Sequence, residues 1–507
     1  MREGPSHTGA RRLLLAVIAL GTLMRVAMAA TVGMGVDESY AIVVARTPSW
    51  AYFDHPGLSF WIPGVLAHAT GSENALLLRA PFILMFGVTT WLVFRLGEEL
   101  GSVRAGAYAA LLLSIAPVFT IAAGGWVLPD GPLDLFMAGA VLCLVRAITD
   151  ASGRATRWWL LAGVCAALAA LSKYQAIFLP VGLVLFLATR RAARRALAGP
   201  GPLAAALLAA LGAVPTLVWN ASHGWASFAF QLGRGAPGDG VGPVALLENV
   251  AGQALYLLPW LWLPLVVVLA RALRRGPTDP VRWLLCCMAA PPIAFFTLLS
   301  LGGNPGLPHW PMVGYLMLFP LLGDAVARRL AVRDRRTRRY LIGSVAAFVV
   351  VLAAAWSEAA TGWMRRAAPS VFARGSPTDE LLNWSDARPR LAALGVGGRD
   401  GPFVAAVKWT DAGKVGYALG PVVPVVCLCG SPHHFGYLAD QRAFIGRDAV
   451  LIDHTRGPSG VRRVYAPYFA SIDSLPPIIV RQDGRPALSI QAYVGRRYRA
   501  LFPGSVR

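Results

Sequence analysis

"RRLLLAVIALGTLMRVAMAATVGMGVDESY", residues 11–40, is a long apolar run that ends on two adjacent acids, Asp37 and Glu38. A helix needs about 20 apolar residues to cross a bilayer, and this run supplies them. It delivers two carboxylates to the water just past the end of a span. The continuation "AYFDHPGLSFW" (51–61) adds Asp54 and His55 at the start of a Pro-Gly turn.

The 507 residues are 56% hydrophobic and only 14% charged, which marks a polytopic membrane protein. The net charge of +21 comes almost wholly from arginine, because Lys173, Lys408 and Lys414 are the only lysines. The arginines sit in short loops between apolar spans, so the basic balance reads as membrane topology and sets nucleic acid aside. No cleavable signal is evident, and the first run is long enough to stay as a signal anchor. Four of the six cysteines lie in apolar spans. Cys427 and Cys429 share one face of an expected strand, where buried packing is preferred to a strained disulfide.

Hydrophobic length predicts about eleven spans. They lie near 11–31, 77–96, 104–123, 132–149, 157–173, 175–189, 201–219, 251–272, 282–301, 309–328 and 340–357. Arg11 and Arg12, Arg104, Arg154 and Arg157, "RRAARR" (190–195), "ARALRRG" (270–276) and "ARRLAVRDRRTRR" (327–339) then share one side. The positive-inside rule makes that side, and the N-terminus, cytoplasmic. The opposite side receives a first loop at about 32–76, then "GGWVLPDGPLD" (124–134), "LSKYQ" (171–175), "NASHGWASF" (220–228) and "GGNPGLPHWP" (302–311). Ionisable groups near membrane depth are costly and read as functional.

The expected domains are 1–357, in the membrane, and 358–507, an extracytoplasmic soluble α/β domain. In the second, "GPFVAAVKW" and "PVVPVVCLC" read as strands around the helix "TDAGKVGYALG", and "DAVLID" is a further element. A hairpin is expected to turn at Asp483-Gly484.

Nucleotide sugars are cytoplasmic, so an outward-facing transfer site needs a donor carried on a lipid, such as a polyprenyl-phosphate sugar. The chemistry needs a carboxylate base for the acceptor hydroxyl and a cation for the departing phosphate. Asp37 and Glu38 supply carboxylates, and neighbouring acids raise each other's proton affinity. The same segment also fits a surface helix with Asp37 as its N-cap. Lys173 is the membrane half's only lysine and stands on the outer side, against the charge rule, with Tyr174 beside it. It suits a phosphate clamp, and snorkelling from a helix end is its plainer account. Asp54, His55 and Asp130 are candidate substrate contacts that turn chemistry alone also explains, and Asp134 stands at the next helix entrance. His223 with Trp225, and His309 with Trp310, sit at two further outer span ends, where tryptophan commonly forms an interfacial belt. The histidine spacing gives no metal-ligand pattern, and no metal is expected.

In order along the chain, "DESY", "DHPGLSFW", "PDGPL", "LSKY", "ASHGWASFAFQ" and "LPHWPMVGYL" resemble the GT-C glycosyltransferases. They resemble in particular bacterial glycosyltransferase family 39 and aminoarabinose-transferase-like proteins, akin to protein O-mannosyltransferases. This resemblance implies a polytopic helical fold in a bacterial inner membrane and interface-lying helices in the first loop. It also implies inverting transfer from a polyprenyl-phosphate sugar, without nucleotide or metal cofactor. Asp37 is then the catalytic acid, Glu38 its neighbour, and Lys173 the phosphate contact. Asp130 becomes the second loop acid, and His55-Pro56 the His-Pro element, although Gly57 stands where many relatives have a second proline. The implied partners are the lipid-linked donor, membrane lipids, and an acceptor that is lipid A, an envelope glycan, a lipid or a protein. A lipid-sugar flippase is the rival reading. It calls for mid-membrane charges and internal repeats, which the sequence does not clearly show.

Overall fold

The computed structural model describes residues 5–150, 153–372, 375–376, 378–454 and 456–503. Seven helices among them are long and apolar enough to cross a membrane: His7–Thr31, Ala75–Leu100, Asp130–Thr149, Ala155–Ser172, Gly201–Ser222, Pro280–Gly302 and Arg335–Thr361. An eighth candidate is the pair Gly242–Leu257 and Pro259–Arg275, bent by 109°. The bend falls on Leu258, at φ 72°, immediately before a proline that disfavours helical backbone in its predecessor.

The expectation of about eleven spans is therefore corrected to seven or eight. The segments 104–123, 175–189 and 309–328 are helical but short or broken. The first is a helix Val103–Ser114 followed by a π-helical turn Val118–Ala123, and the second is a helix Phe178–Thr189. The third splits into Met312–Leu316 and Phe319–Ala331.

The chain forms two compact units, 1–27 with 50–59 and 80–351, and 28–49 with 60–79 and 352–507. In the first, helices approach closely through small residues, as expected where lipid gives no hydrophobic drive between helices. A Cβ on Gly163 would stand 2.6 Å from Ala205 Cα, and one on Gly212 2.4 Å from Ala167 Cα. The outward face of the same Gly201–Ser222 helix carries Leu203, Leu207 and Leu211, one turn apart and each about 60% or more exposed, a lipid-facing stripe.

The second unit holds a five-stranded sheet, β1 (Phe403–Ala406), β2 (Val425–Cys427), β3 (Ala449–Asp453), β4 (Phe469–Gln482) and β5 (Arg485–Tyr498), in the order β2-β1-β3-β5-β4. The first three strands in that order are parallel, and β5 pairs antiparallel with both β3 and β4. The β4–β5 hairpin turns at Asp483 and Gly484, with φ 51° and 72°, the left-handed pair that a tight two-residue hairpin turn needs. Cys427 and Cys429 are buried free thiols.

The unit boundaries differ from the expected division at residue 357, because first-loop segments fold with the C-terminal sheet. The helix Val36–Ala45 lies against the helix Trp409–Leu419. Gly413 is what allows the approach, since a Cβ there would lie 2.9 Å from Tyr40 N. Lys414 Nζ donates to Met34 O at 2.6 Å and Glu380 O at 3.1 Å. Tyr417 donates its hydroxyl to Glu73 O at 2.8 Å.

Candidate active site

In the first unit, Asp130 opens the helix Asp130–Thr149, where a carboxylate complements the helix N-terminus. Gly131 follows because a side chain there would strike Ala123 O at 2.7 Å. Lys173 ends the helix Ala155–Ser172 in extended backbone and starts a short 3-10 turn, Tyr174–Ile177. Its Nζ donates to both Asp130 oxygens, at 2.8 and 2.9 Å. The Lys173 side chain is 4% exposed and that of Asp130 23%, so the pair opens on the carboxylate side. Asp134, one turn further on, is buried.

The segment Trp50–Ser59 brings Asp54 and His55 to the same place. It closes on itself through the Ala51–Pro56 bridge and the hydrogen bond from Tyr52 N to His55 O at 3.1 Å. Gln231 Nε2 donates to Asp54 O at 2.6 Å, and Ser227 Oγ to Tyr52 O at 3.4 Å. His55 Nδ1 is buried without a hydrogen-bond partner. Burial pushes the His55 imidazole down to about 3, helped by the Lys173 charge and opposed by Asp54 and Asp130. His309, on the loop before Met312, is pushed down to about 4 by burial and then by Lys173. Both imidazoles are therefore neutral near pH 7, each with one N–H to donate and one nitrogen to accept.

Arg234 completes the set, and sequence reasoning missed it. It ends the helix Ala226–Arg234, and its guanidinium lies 5.0 Å from the Trp310 ring centre and 5.5 Å from that of Phe230. Its charge lowers the proton affinity of both His55 and His309. A small recess beside it is lined by Arg234, Phe296, Asn304, Gly306 and Trp310. The signal was present in the sequence. By the expected topology Arg234 is a cation on the outer side, the same argument that singled out Lys173.

Of the other expected residues, Tyr174 lies next to Lys173 and within electrostatic reach of Asp54, while His223 and Trp225 make contacts of their own. His223 is tied to its own helix, with Nδ1 at 2.7 Å from Trp219 O and its ring stacked on Trp219 at 4.2 Å. Trp225 is 50% exposed, as a residue of the interfacial belt would be. Tyr174 packs its ring on Phe228 at 5.6 Å.

Asp37 and Glu38 belong to the second unit. The N-cap of their helix is Gly35, which corrects the expectation that Asp37 caps it. Glu38 occupies the third helical position and reaches back to accept from Gly35 N at 2.8 Å. It also takes the Arg79 guanidinium on both oxygens, at 2.8 and 2.5 Å, and each side chain is 1% exposed. Glu38 is thus committed to a buried ion pair, while Asp37 next to it is exposed. Among the described residues, no three His, Cys, Asp or Glu side chains converge as metal ligands.

Residues 54–219 match the family model described as dolichyl-phosphate-mannose-protein mannosyltransferase. The crystal structure of ArnT from Cupriavidus metallidurans bound to undecaprenyl phosphate superposes with a TM-score of 0.63 at 17% identity. That match covers 96% of this chain and 98% of ArnT. This chain has the GT-C fold.

Within the GT-C fold, two further solved structures agree. The Archaeoglobus fulgidus oligosaccharyltransferase matches with a TM-score of 0.51 at 13% identity, over 80% of this chain and 61% of that one. The arabinofuranosyltransferase AftD from Mycobacteria gives 0.51 at 16% identity, over 96% of this chain and 42% of its own. No curated protein matches the chain. The matched family and these GT-C neighbours are glycosyltransferases. The family match contains Asp54, His55, Asp130 and Lys173, and it ends before Arg234.

Proposed function

We propose that the chain transfers a sugar from a polyprenyl-phosphate donor to an acceptor hydroxyl on the outer side of a bacterial cytoplasmic membrane. The observation that carries this reading is the part-buried Lys173–Asp130 pair, with His55, His309 and Arg234 near it at one end of the membrane helices. The arginine-rich ends of the same helices, at Arg146, Arg154 and Arg190–Arg195, lie at the opposite ends of their spans. ArnT, which shares this fold, is described as bound to undecaprenyl phosphate, a ligand of the proposed donor class.

Lys173 has three N–H donors and gives two contacts to Asp130, so a donor phosphate takes the third while Asp130 holds the ammonium in place. Arg234 adds a second cation, and neutral His55 and His309 add N–H donors without adding charge. Asp37 is the general base, because Glu38 is held by Arg79. In a single displacement the acceptor oxygen bonds to the anomeric carbon and the carbon–oxygen bond to phosphate breaks. The hydroxyl proton passes to the carboxylate base, and the departing phosphate keeps the bonding electron pair.

The test uses purified protein in lipid nanodiscs, labelled polyprenyl-phosphate sugars, and envelope membranes from a deletion strain as acceptor. Label should move into the envelope fraction with wild type and be lost with Lys173→Ala. Movement of the donor across a bilayer with no transfer would instead establish the flippase reading.

A further inference from the structure

Strands β1 and β3 are parallel neighbours, yet the chain leaves β1 toward β2 on one side and reaches β3 on the other. In open α/β sheets such a reversal opens a crevice at the carboxyl ends of the strands, where ligands bind. Here β1 leads into the helix Trp409–Leu419, which places Trp409 and Asp411 in its first turn, and β3 ends at Asp453 with His454 next in the chain.

Asp411 is fully buried. Its Oδ1 lies 2.6 Å from His454 Nδ1 and accepts from Thr410 Oγ1 at 3.2 Å. Its Oδ2 is buried with no hydrogen-bond partner. Such a buried acceptor costs stability unless something donates to it. Tyr493, within electrostatic reach of Asp453, has a buried hydroxyl that is likewise unpartnered. His454 remains partly exposed, at 29% of its side chain against 1% for Asp411, so water meets the pair on the imidazole side.

An aromatic wall adjoins this pair. The Trp409 and His433 rings lie 4.5 Å apart at 31°, and Trp409 is half-buried. His433 holds φ 53°, a backbone region that non-glycine residues occupy at a cost and that recurs at functional sites. Two N–H groups at the start of the next helix are already taken, because Asp453 accepts from Arg456 N at 3.0 and 2.9 Å and from Gly457 N at 3.0 Å. An anion thus finds a carboxylate where it would need donors. A hydroxyl-bearing ligand finds a buried, unpartnered acceptor, an imidazole and an aromatic face.

The geometry points to a second binding site, in the crevice formed by Trp409, Asp411, His433 and His454, for a neutral sugar unit of the acceptor. One hydroxyl of the sugar donates to Asp411 Oδ2, another bonds His454, and the apolar face of the ring packs on Trp409. The aromatic wall continues to Tyr40, one turn along the helix from Asp37, with ring centres 5.2 Å from Trp409 and 6.0 Å from His433. Occupancy of the crevice is therefore felt on the helix that carries the proposed base. The role of the ligand as acceptor rests on the transferase reading; its binding does not.

The test has two arms, both with the full chain in nanodiscs. Saturation-transfer NMR with a panel of neutral hexose and pentose disaccharides should show signal with wild type, and lose it with Trp409→Ala and with Asp411→Asn. Thermal unfolding confirms that each variant is folded. In the transfer assay, the same variants should raise the KM for envelope acceptor roughly ten-fold, the scale of one lost hydrogen bond with a stacking face, while donor KM stays within about two-fold. No sugar signal with wild type, equal signal with the variants, or a KM change confined to the donor would each overturn the site. A wild-type protein that binds disaccharides but transfers nothing would leave the crevice standing and remove the transferase reading.

Discussion

Lys173 and Asp130 lie on two different helices, and the ammonium bonds both carboxylate oxygens, at 2.8 and 2.9 Å. Each residue stands out in the sequence alone, one as an isolated lysine and one as a turn acid. Joined, they are a cation fixed in position before any phosphate arrives. Stability and chemistry should therefore separate in mutants.

Lys173→Ala leaves Asp130 without its cation and should abolish donor use. It should also destabilise the protein by about 1–3 kcal/mol, below the 3–5 expected for a fully buried pair because Asp130 is 23% exposed. The double variant Lys173→Ala/Asp130→Asn should regain most of the stability and none of the transfer. Thermal unfolding beside labelled-sugar transfer checks both. Recovery of transfer in the double variant would assign the lysine a purely structural role.

Stability should fall with acid in a way traceable to two histidines. His55 sits at about 3 and His309 at about 4, both below the ordinary value of 6.5. Between those values the unfolded chain binds protons that the folded chain refuses, so stability rises with pH. The contribution is complete above about 6.5 and is lost progressively as pH drops toward 4. Unfolding temperatures measured from pH 7 to pH 4 should fall less steeply for His55→Gln/His309→Gln than for wild type. Parallel profiles would show that these imidazoles do not resist protonation.

The two first-loop acids should behave as opposites. Asp37→Asn keeps size and hydrogen bonding, and the helix is capped by Gly35 rather than by this side chain. The cap is therefore kept, and transfer should fall by roughly 100- to 10,000-fold, the usual worth of a general base. Glu38→Gln strips the buried Arg79 of its counter-charge and should cost about 3–5 kcal/mol. Near-normal transfer by Asp37→Asn would move the base elsewhere.

Gly413→Ala sets a methyl 2.9 Å from Tyr40 N and 3.0 Å from Tyr40 Cα, both backbone atoms. Overpacking of this kind costs about 1–3 kcal/mol, and the displaced helix carries Asp37, so transfer should drop with stability. Gly430→Ala, where a Cβ meets nothing within 4 Å, is the matched control. Equal effects in the two variants would mean that the close approach is not needed.

Lys173 was legible because it is an isolated lysine, an exception to the arginine content of the short loops. The same rule applied to Arg234 would have found the second cation. Span number was less legible. A hydropathy window registers the apolar run through Leu258 and cannot register the 109° bend there. The partnership of Glu38 with Arg79 was hidden because Arg79 reads as one charge at the edge of a span. The joining of the first loop to the C-terminal sheet left no local trace. It depends on a glycine, Gly413, whose meaning comes only from what it meets, Tyr40.

The Lys414 bond to Met34 O sets an order on biogenesis. Chains emerge from the ribosome N-terminus first, and early segments usually fold first. Here the helix bearing Asp37 is among the earliest parts made, yet the surface it packs on ends at Leu419. The first loop must wait, without its partner, while the intervening membrane helices are synthesised and inserted. A ribosome stalled or a message truncated before that point yields a protein with its spans in place and its Asp37 helix unmoored. Completion of the C-terminal domain is thus a built-in checkpoint on assembly.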